Sequence, residues 1–528
     1  MSRETVVTNL YNALRPRVGG DVRESQGERP MSIMRTKSIE QSIRDTEDPE
    51  FQLKKELGPL DLTVFGIGVI IGTGLFVLTG EAAAGYAGPA IALSYVVAGV
   101  ACTLAALCYA EFASTVPVAG SAYTFSYVAL GEFVAWLIGW DLILEFTLGA
   151  ATVAKGWSGY LVAVLDLMGI TVPPVLYAAK GGGLSHDYLA VLVILAMTAI
   201  LVIGIKLSSR VNQVVTAIKI LVTLFIIGFG VWFIDAANLT PFIPKPAPGG
   251  EAYGSALDAY LLPSILGIDT IYGVTGIFTG AALVFFAYIG FDIVATTSEE
   301  ARNPQRDIPI GIFASLGICT VLYILASVVF TGLVPYKELG TAAPAATALA
   351  ATPFPAAEFI VSLAILIGLT VVVMILILGQ SRVAFAMSRD NLLPRWFARV
   401  HTSFRTPYRI TIITGIVSAI LTFSLPLTTL GELVNIGTLS AFVLVSIGVL
   451  VLRRTQPDLP RAFRTPAVPL VPILAALLCL FVMGFLTIGT WVRFLVWMAI
   501  GIVIYFAYSR SHSRLGREGD SGGNVRES

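Results

Sequence analysis

Charge is what this sequence has least of. Only 13% of its 528 residues are Asp, Glu, Lys or Arg, where an ordinary soluble protein carries about 25%. With 56% hydrophobic residues, the solvent that suits most of the chain is a bilayer. The 34 basic and 34 acidic residues cancel, so the basic excess that a nucleic-acid partner requires is absent. Histidine and cysteine are equally scarce. His186, His401 and His512 fall in loops or tails, and Cys102, Cys108, Cys319 and Cys479 stand in apolar runs without CxxC spacing. Those patterns exclude most metal centres and disulfide frameworks. No GxxxxGK[ST] loop occurs, which leaves ATP hydrolysis unsupported as a driving force. No Ser/His or nucleotide-binding arrangement points to an enzyme, and no cofactor is implied.

The first 50 residues are polar, rich in Arg, Glu and Ser, and lack the apolar core of a secretory signal. They are expected to form a disordered cytoplasmic tail, as is the polar stretch 509–528. Between them, residues 51–508 hold about twelve apolar runs long enough to cross a membrane. The first half contributes 62–80, 90–112, 123–152, 188–206 and 212–234. The second contributes 276–298, 308–334, 356–387, 410–424 and 433–452, with two further runs at 468–488 and 491–508. The third stays apolar to Leu167, so it is either one long helix or a helix followed by a short external one.

Short loops on one side carry Lys54, Lys55, Lys206, Arg210, Arg302, Arg306, Arg389, Arg395, Arg399, Arg405, Arg409, Arg453, Arg454, Arg461 and Arg464, while the other side has chiefly Lys155, Lys180, Lys245, Lys337 and Arg493. The excess of positive charge on one side predicts cytoplasmic N- and C-termini and a multi-pass protein of the cell membrane.

Two runs are interrupted. The first contains Gly66, Gly68, Gly72 and Gly74, with Gly72-Thr73-Gly74 near mid-membrane. Each glycine weakens a helix interior by about 1 kcal/mol relative to alanine. Close helix packing is the competing explanation, since Gly68 and Gly72 form a GxxxG pair. The sixth run places Gly290 and Asp292 at a comparable depth in the opening helix of the second half. Five runs, a repeat of five, and a break at the start of each form the layout of an inverted-repeat transporter, 62–235 against 276–452, with 468–508 added.

Backbone freed by a break inside hydrocarbon must face a cavity or a ligand. A half-helix beginning near Thr73 would present N–H groups suited to a carboxylate. One ending near Phe286 would present carbonyls suited to an ammonium. An α-amino acid carries both groups, and a side chain added at Gly74 is expected to crowd the carboxylate position.

Lys219 lies nine residues beyond Arg210, about 14 Å along its helix. A lysine at that depth predicts a role in binding and releasing a proton, or in standing where a cation would bind, with snorkelling to the interface as the alternative. Asp141 and Glu145 share one helix face. Glu145 is the deeper and the better proton carrier, with Asp141 as its structural partner. Glu111 and Asp292 lie nearer helix ends, where gating or ion pairing is expected. The eighth run, Thr370 to Ser381, has no Ser/Thr pair for sodium, which favours protons or exchange. It brings Met374 toward the expected side-chain pocket.

At these residues the sequence resembles the amino acid, polyamine and organocation transporter superfamily, and within it the cationic amino acid transporter family. The matching segments are Gly68 to Phe76 (GVIIGTGLF), Tyr109 to Phe112 (YAEF), Pro117 to Tyr123 (PVAGSAY), Gly139 to Phe146 (GWDLILEF), Phe285 to Asp292 (FFAYIGFD) and Thr296 to Ile312 (TTSEEARNPQRDIPIGI). The resemblance implies an all-α polytopic fold of the leucine-transporter type, with spans one to five inverted onto six to ten and two extra helices.

It also implies carboxylate binding by the amides of Thr73 and Gly74, and amine binding by carbonyls of Ile70, Phe286, Ala287 and Ile289. Gly72 and Gly290 would be the glycines of the unwound segments. Lys219 would stand near the place of a sodium site in sodium-coupled relatives, with Glu145 nearby. The expected partners are an amino acid, protons and membrane lipid. A polyamine permease and a non-transporting sensor remain the alternatives, and nothing in the sequence sets the oligomeric state.

Overall fold

The computed structural model describes residues 57–115, 121–177, 186–204, 209–249, 255–268, 270–401, 404 and 406–514. The expected tail 1–50, residues 515–528, most of the PVAGSAY segment and Lys54, Lys55, Lys180, Lys206 and Arg405 lie outside them. The described residues form an all-α polytopic membrane protein; a two-residue antiparallel pairing of Ala247–Pro248 with Thr270–Ile271 is their one sheet. Eight helical runs among them have the length and hydropathy to cross a bilayer, and three more are apolar but shorter.

The principal helices, in chain order, are α1 (Pro59–Ile70), α2 (Ile91–Thr115), α3 (Ser121–Ala129), α4 (Glu132–Leu167), α5 (Tyr188–Ile203), α6 (Ser209–Gly230) and α7 (Gly273–Val284). They continue with α8 (Phe291–Thr296), α9 (Pro304–Leu333), α10 (Pro355–Arg389), α11 (Tyr408–Ser424), α12 (Leu427–Thr455), α13 (Leu470–Met483) and α14 (Ile488–Ile504). The third apolar run is one long helix, α4, of 36 residues. Its start differs from the expected 123, because Gly131 takes φ +95° and turns the chain between α3 and α4. A residue with a Cβ rarely adopts that conformation.

Packing sorts the helices by position in the chain. In one group α1 and α2 of the first half lie against α7, α8 and α9 of the second. In the other, α4 and α5 lie against α10 and α11. Helix α6 touches α1, α9 and α10, and α12 joins α4 to α2 and α13.

Glu111, at the end of α2, ties the basic end of α12 to the loop that follows. Its carboxylate accepts from Arg453 Nε at 2.7 Å and Nη2 at 2.9 Å, and from the Thr465 amide at 2.8 Å. Arg461 Nε lies 3.1 Å from the same carboxylate, and its other guanidinium nitrogens donate to carbonyls of Leu452, Gln456, Pro457 and Leu459. The buried carboxylate thus meets two guanidinium groups, and the buried Arg461 is paired, as burial requires. The expectation of ion pairing at Glu111 describes what is seen.

Candidate functional site

Two discontinuities meet in the core. Helix α1 stops at Ile70, where Ile71 turns extended (φ −72°, ψ 107°), and helical turns resume at Gly74. Helix α7 passes into a tight 3-10 turn over Phe285–Tyr288, after which Ile289 is extended and Gly290 takes φ +127°. Helix α8 then begins at Phe291. A Cβ added to Gly74 would fall 2.2 Å from Cα of Ala287. The two breaks thus touch, backbone to backbone, and only glycine permits it. A side chain at Gly74, expected to crowd a carboxylate, would also meet the other break. Gly72, by contrast, has only Val372 near its missing Cβ, at 3.8 Å.

The last carbonyls of a helix have no donor within it. Here other helices supply them. Lys219 Nζ donates to the Gly68 carbonyl at 2.8 Å. The Tyr323 hydroxyl lies 2.7 Å from the Ile70 carbonyl and 2.9 Å from that of Ala287. A phenol has one hydrogen, so it satisfies one of these carbonyls at a time. Beyond the break, Tyr95 donates to the Gly74 carbonyl at 3.2 Å and Tyr160 to that of Phe76 at 2.6 Å. The second break has a local solution, because the Asp292 carboxylate accepts from the Gly290 amide at 3.2 Å. Phe286 offers its carbonyl to the Ile289 amide at 3.2 Å.

A cavity of about 30 Å³ lies between the breaks, lined by Ile70, Gly72, Thr73, Gly74, Phe286 and Ile289. Its remaining wall is Glu145 with apolar groups from α4, α8, α10 and α12, among them Phe146, Gly149, Val153, Val372, Leu376 and Val434. A space of that size holds about one water, so this is an occluded arrangement. The Thr73 hydroxyl and both oxygens of the Glu145 carboxylate are buried without a hydrogen-bond partner. The Thr438 hydroxyl near Glu145 is committed to the Val434 carbonyl at 3.1 Å.

Thr73, Gly74, Ile70, Phe286, Ile289, Gly72 and Glu145 therefore share one cavity. Ala287 and Gly290 stand just behind it, bonded to Tyr323 and Asp292. The cavity wall does not include Lys219, which lies behind α1 against Gly368, and among the described residues no carboxylate pairs with it. Met374 is buried on α10, but Val372 and Leu376 of the same helix form the wall. Asp141 reaches α12, accepting from Ser440 at 2.8 Å.

From the sequence alone, neither Tyr323 nor Tyr95 is assigned a site role. Their signal is a tyrosine hydroxyl deep in an apolar run, which must find a partner once buried.

Comparison with known proteins bears on the whole chain. A family model described as amino acid permease matches residues 57–508. The chain is 46% identical over 489 residues to the branched-chain amino acid permease BcaP of Bacillus subtilis (strain 168), covering 92% of this chain and 99% of that one. It is 43% identical to the methylthioribose transporter of the same organism, over 92% and 100% of the two chains. With the vacuolar cationic amino acid transporter 4 of Arabidopsis thaliana the identity is 38%, over 81% of this chain and 68% of that one. The chain belongs to the amino acid permease family within the amino acid, polyamine and organocation transporter superfamily, related to the cationic amino acid transporters, and is a secondary active amino-acid permease.

Proposed function

We propose that this permease moves a neutral aliphatic L-α-amino acid across the cell membrane by alternating access, driven by protons or by exchange. One observation carries the reading: two helix breaks in backbone contact border a cavity whose other walls are aliphatic or aromatic except for Glu145. The amides opening the half-helix at Thr73 and Gly74 take the carboxylate. The carbonyls of Ile70, Phe286, Ala287 and Ile289 take the amine, with Tyr323 releasing whichever of Ile70 and Ala287 the ammonium engages. Apolar walls then select the side chain, in keeping with identity to a branched-chain amino acid permease. Because the cavity is small, Gly72, Gly290 and the breaks around them must flex for substrate to enter.

Coupling is assigned to Glu145 and Lys219. Glu145 carries a proton at the cavity wall, and Lys219 senses the state of α1 through the Gly68 carbonyl. Asp141 and Asp292 hold the flanking helices, and Met374 backs the side-chain pocket from behind Val372 and Leu376.

The finer architecture is part of the same proposal. The 57-residue helical run from Pro59 to Thr115 would be about 85 Å long if straight, so it makes two crossings. With the three short apolar helices the total is twelve. Pairing of α1 and α2 with α7 to α9, and of α4 and α5 with α10 and α11, supports a leucine-transporter-type inverted repeat, 62–235 onto 276–452, with 468–508 additional. Basic loops put both termini in the cytoplasm.

Glu145 also favours a second reading, in which its free carboxylate meets a cationic side chain. Uptake of radiolabelled leucine into proteoliposomes separates the two. Excess leucine is expected to compete, with lysine weak and putrescine without effect. Lysine competing as well as leucine would favour the second reading, and putrescine competing would overturn the zwitterion site.

A further inference from the structure

A second opening lies away from the breaks, at the start of α9. It is a groove of about 650 Å³ lined by Gln305, Arg306, Pro309, Ile310, Phe313 and Ala314 of α9, with Ala462 and Phe463 of the loop after α12. The six helix positions recur at intervals of three and four residues, so they form one face. Their chemistry is graded. Gln305 and Arg306, both exposed, occupy the first turn, and Ile310, Phe313 and Ala314 follow, the whole face from Gln305 to Ala314 spanning about 14 Å. On the far wall the Phe463 ring lies 5.5 Å from that of Phe313. Its loop is held in place by the Glu111 cluster and by the Phe463 amide donating to Ser114 at 3.3 Å.

We propose that this groove binds an anionic phospholipid of the adjacent leaflet. Helix α9 has 30 residues, a length of about 45 Å against a hydrocarbon core of about 30 Å, which leaves its first turns among the headgroups. Arg306 there offers a lipid phosphate charge-assisted hydrogen bonds, and Gln305 an amide donor. Arg302 and Arg464, both exposed, add positive charge beside the two walls. The acidic residue of that turn, Asp307, is buried and turned to the Asn303 amide at 3.2 Å. Pro309 has no N–H, so the Gln305 carbonyl lacks its helical donor. That carbonyl is open to a glycerol hydroxyl. Acyl chain then runs over Ile310, Phe313 and Phe463. The occupant matched by this order of groups is an amphiphile with a phosphate head, and a basic pocket between spans suits one. A lipid seated there would bridge α9 to the loop that joins α12 and α13.

The test is thermal unfolding of the purified full-length protein titrated with short-chain phosphatidylglycerol, phosphatidylcholine or glycerol phosphate. A specific ligand stabilises its folded receptor saturably. Phosphatidylglycerol is expected to raise Tm saturably, with the other two much weaker. Arg306→Gln is expected to raise the half-saturating concentration about tenfold or more, whereas Arg399→Gln, at an exposed arginine elsewhere on the basic side, leaves it unchanged. Ala462→Trp keeps every charge but fills the groove, and is expected to abolish the saturable shift even if Arg306→Gln fails to fold. Equal stabilisation by phosphatidylcholine would overturn the proposal, as would equal losses in the two arginine variants. Glycerol phosphate matching the lipid would reduce the groove to an anion site and overturn it as well.

Discussion

The two helix breaks do the same job by different means. The second is partly local: Gly290 adopts φ +127° and Asp292, two residues on, takes its amide, while Tyr323 of α9 and Asn435 of α12 reach the Ala287, Ala282 and Leu283 carbonyls around it. The first is held from a distance. Its carbonyls rely on Lys219 of α6 and Tyr323 of α9, and the turns beyond it on Tyr95 of α2 and Tyr160 of α4. A break with a cap of its own depends less on its neighbours. One whose partners sit on three or four other helices changes when those helices move. The first break is therefore the more sensitive to movement of other helices, and the second the more self-supporting of the two.

Substitutions at Gly74, Lys219 and Asp292 probe that difference, from the largest expected effect to the smallest, with Gly72 as the control for Gly74. Gly74→Ala drives a methyl into the Ala287 backbone and should destabilise the protein by about 3 kcal/mol or more, with uptake lost. Gly72→Ala, two residues away, meets nothing closer than 3.8 Å, so stability is expected to hold while KM for substrate rises. Comparable Tm losses in the two variants would mean that contact between the breaks is not what demands glycine.

Lys219→Met comes next. It leaves the Gly68 carbonyl unpaired at a cost of about 1 to 3 kcal/mol, and uptake in proteoliposomes should lose its dependence on the pH gradient. A gradient dependence that survives would remove Lys219 from the coupling. Asp292→Ala should be milder, about 1 kcal/mol, because it takes an acceptor from amides at one helix start and leaves the contacts between helices in place. Asp292→Asn, which retains an acceptor, should recover part of that loss in the same unfolding assay. An Asp292 variant more damaging than Lys219→Met would reverse the ranking of the two breaks.

What could be foreseen from the sequence follows the same division. Gly290 and Asp292 lie two residues apart, so the second break was legible, as was the glycine pattern of the first. Glu145 could be placed on its helix face because helical period is a local property. The donors that complete the first break come from residues as much as 253 positions away; the apolar run around Tyr323 says that its hydroxyl needs a partner, not which one. Nor did apolar character reveal the turn at Gly131, since hydropathy continues across it while backbone direction does not. Gly74 was singled out for its amide, and a second demand on it was not visible. Its constraint is the approach of Ala287, which depends on how the two halves pack.

The central claim is that the joined breaks recognise a carboxylate and an amine on one carbon. Thermal unfolding of the full-length protein with L-leucine, 3-methylbutylamine or 4-methylpentanoate tests it most directly, since the second compound lacks the carboxylate and the third the amine. Stabilisation by leucine alone is the outcome this account requires. Equal stabilisation by the amine or the acid would contradict it.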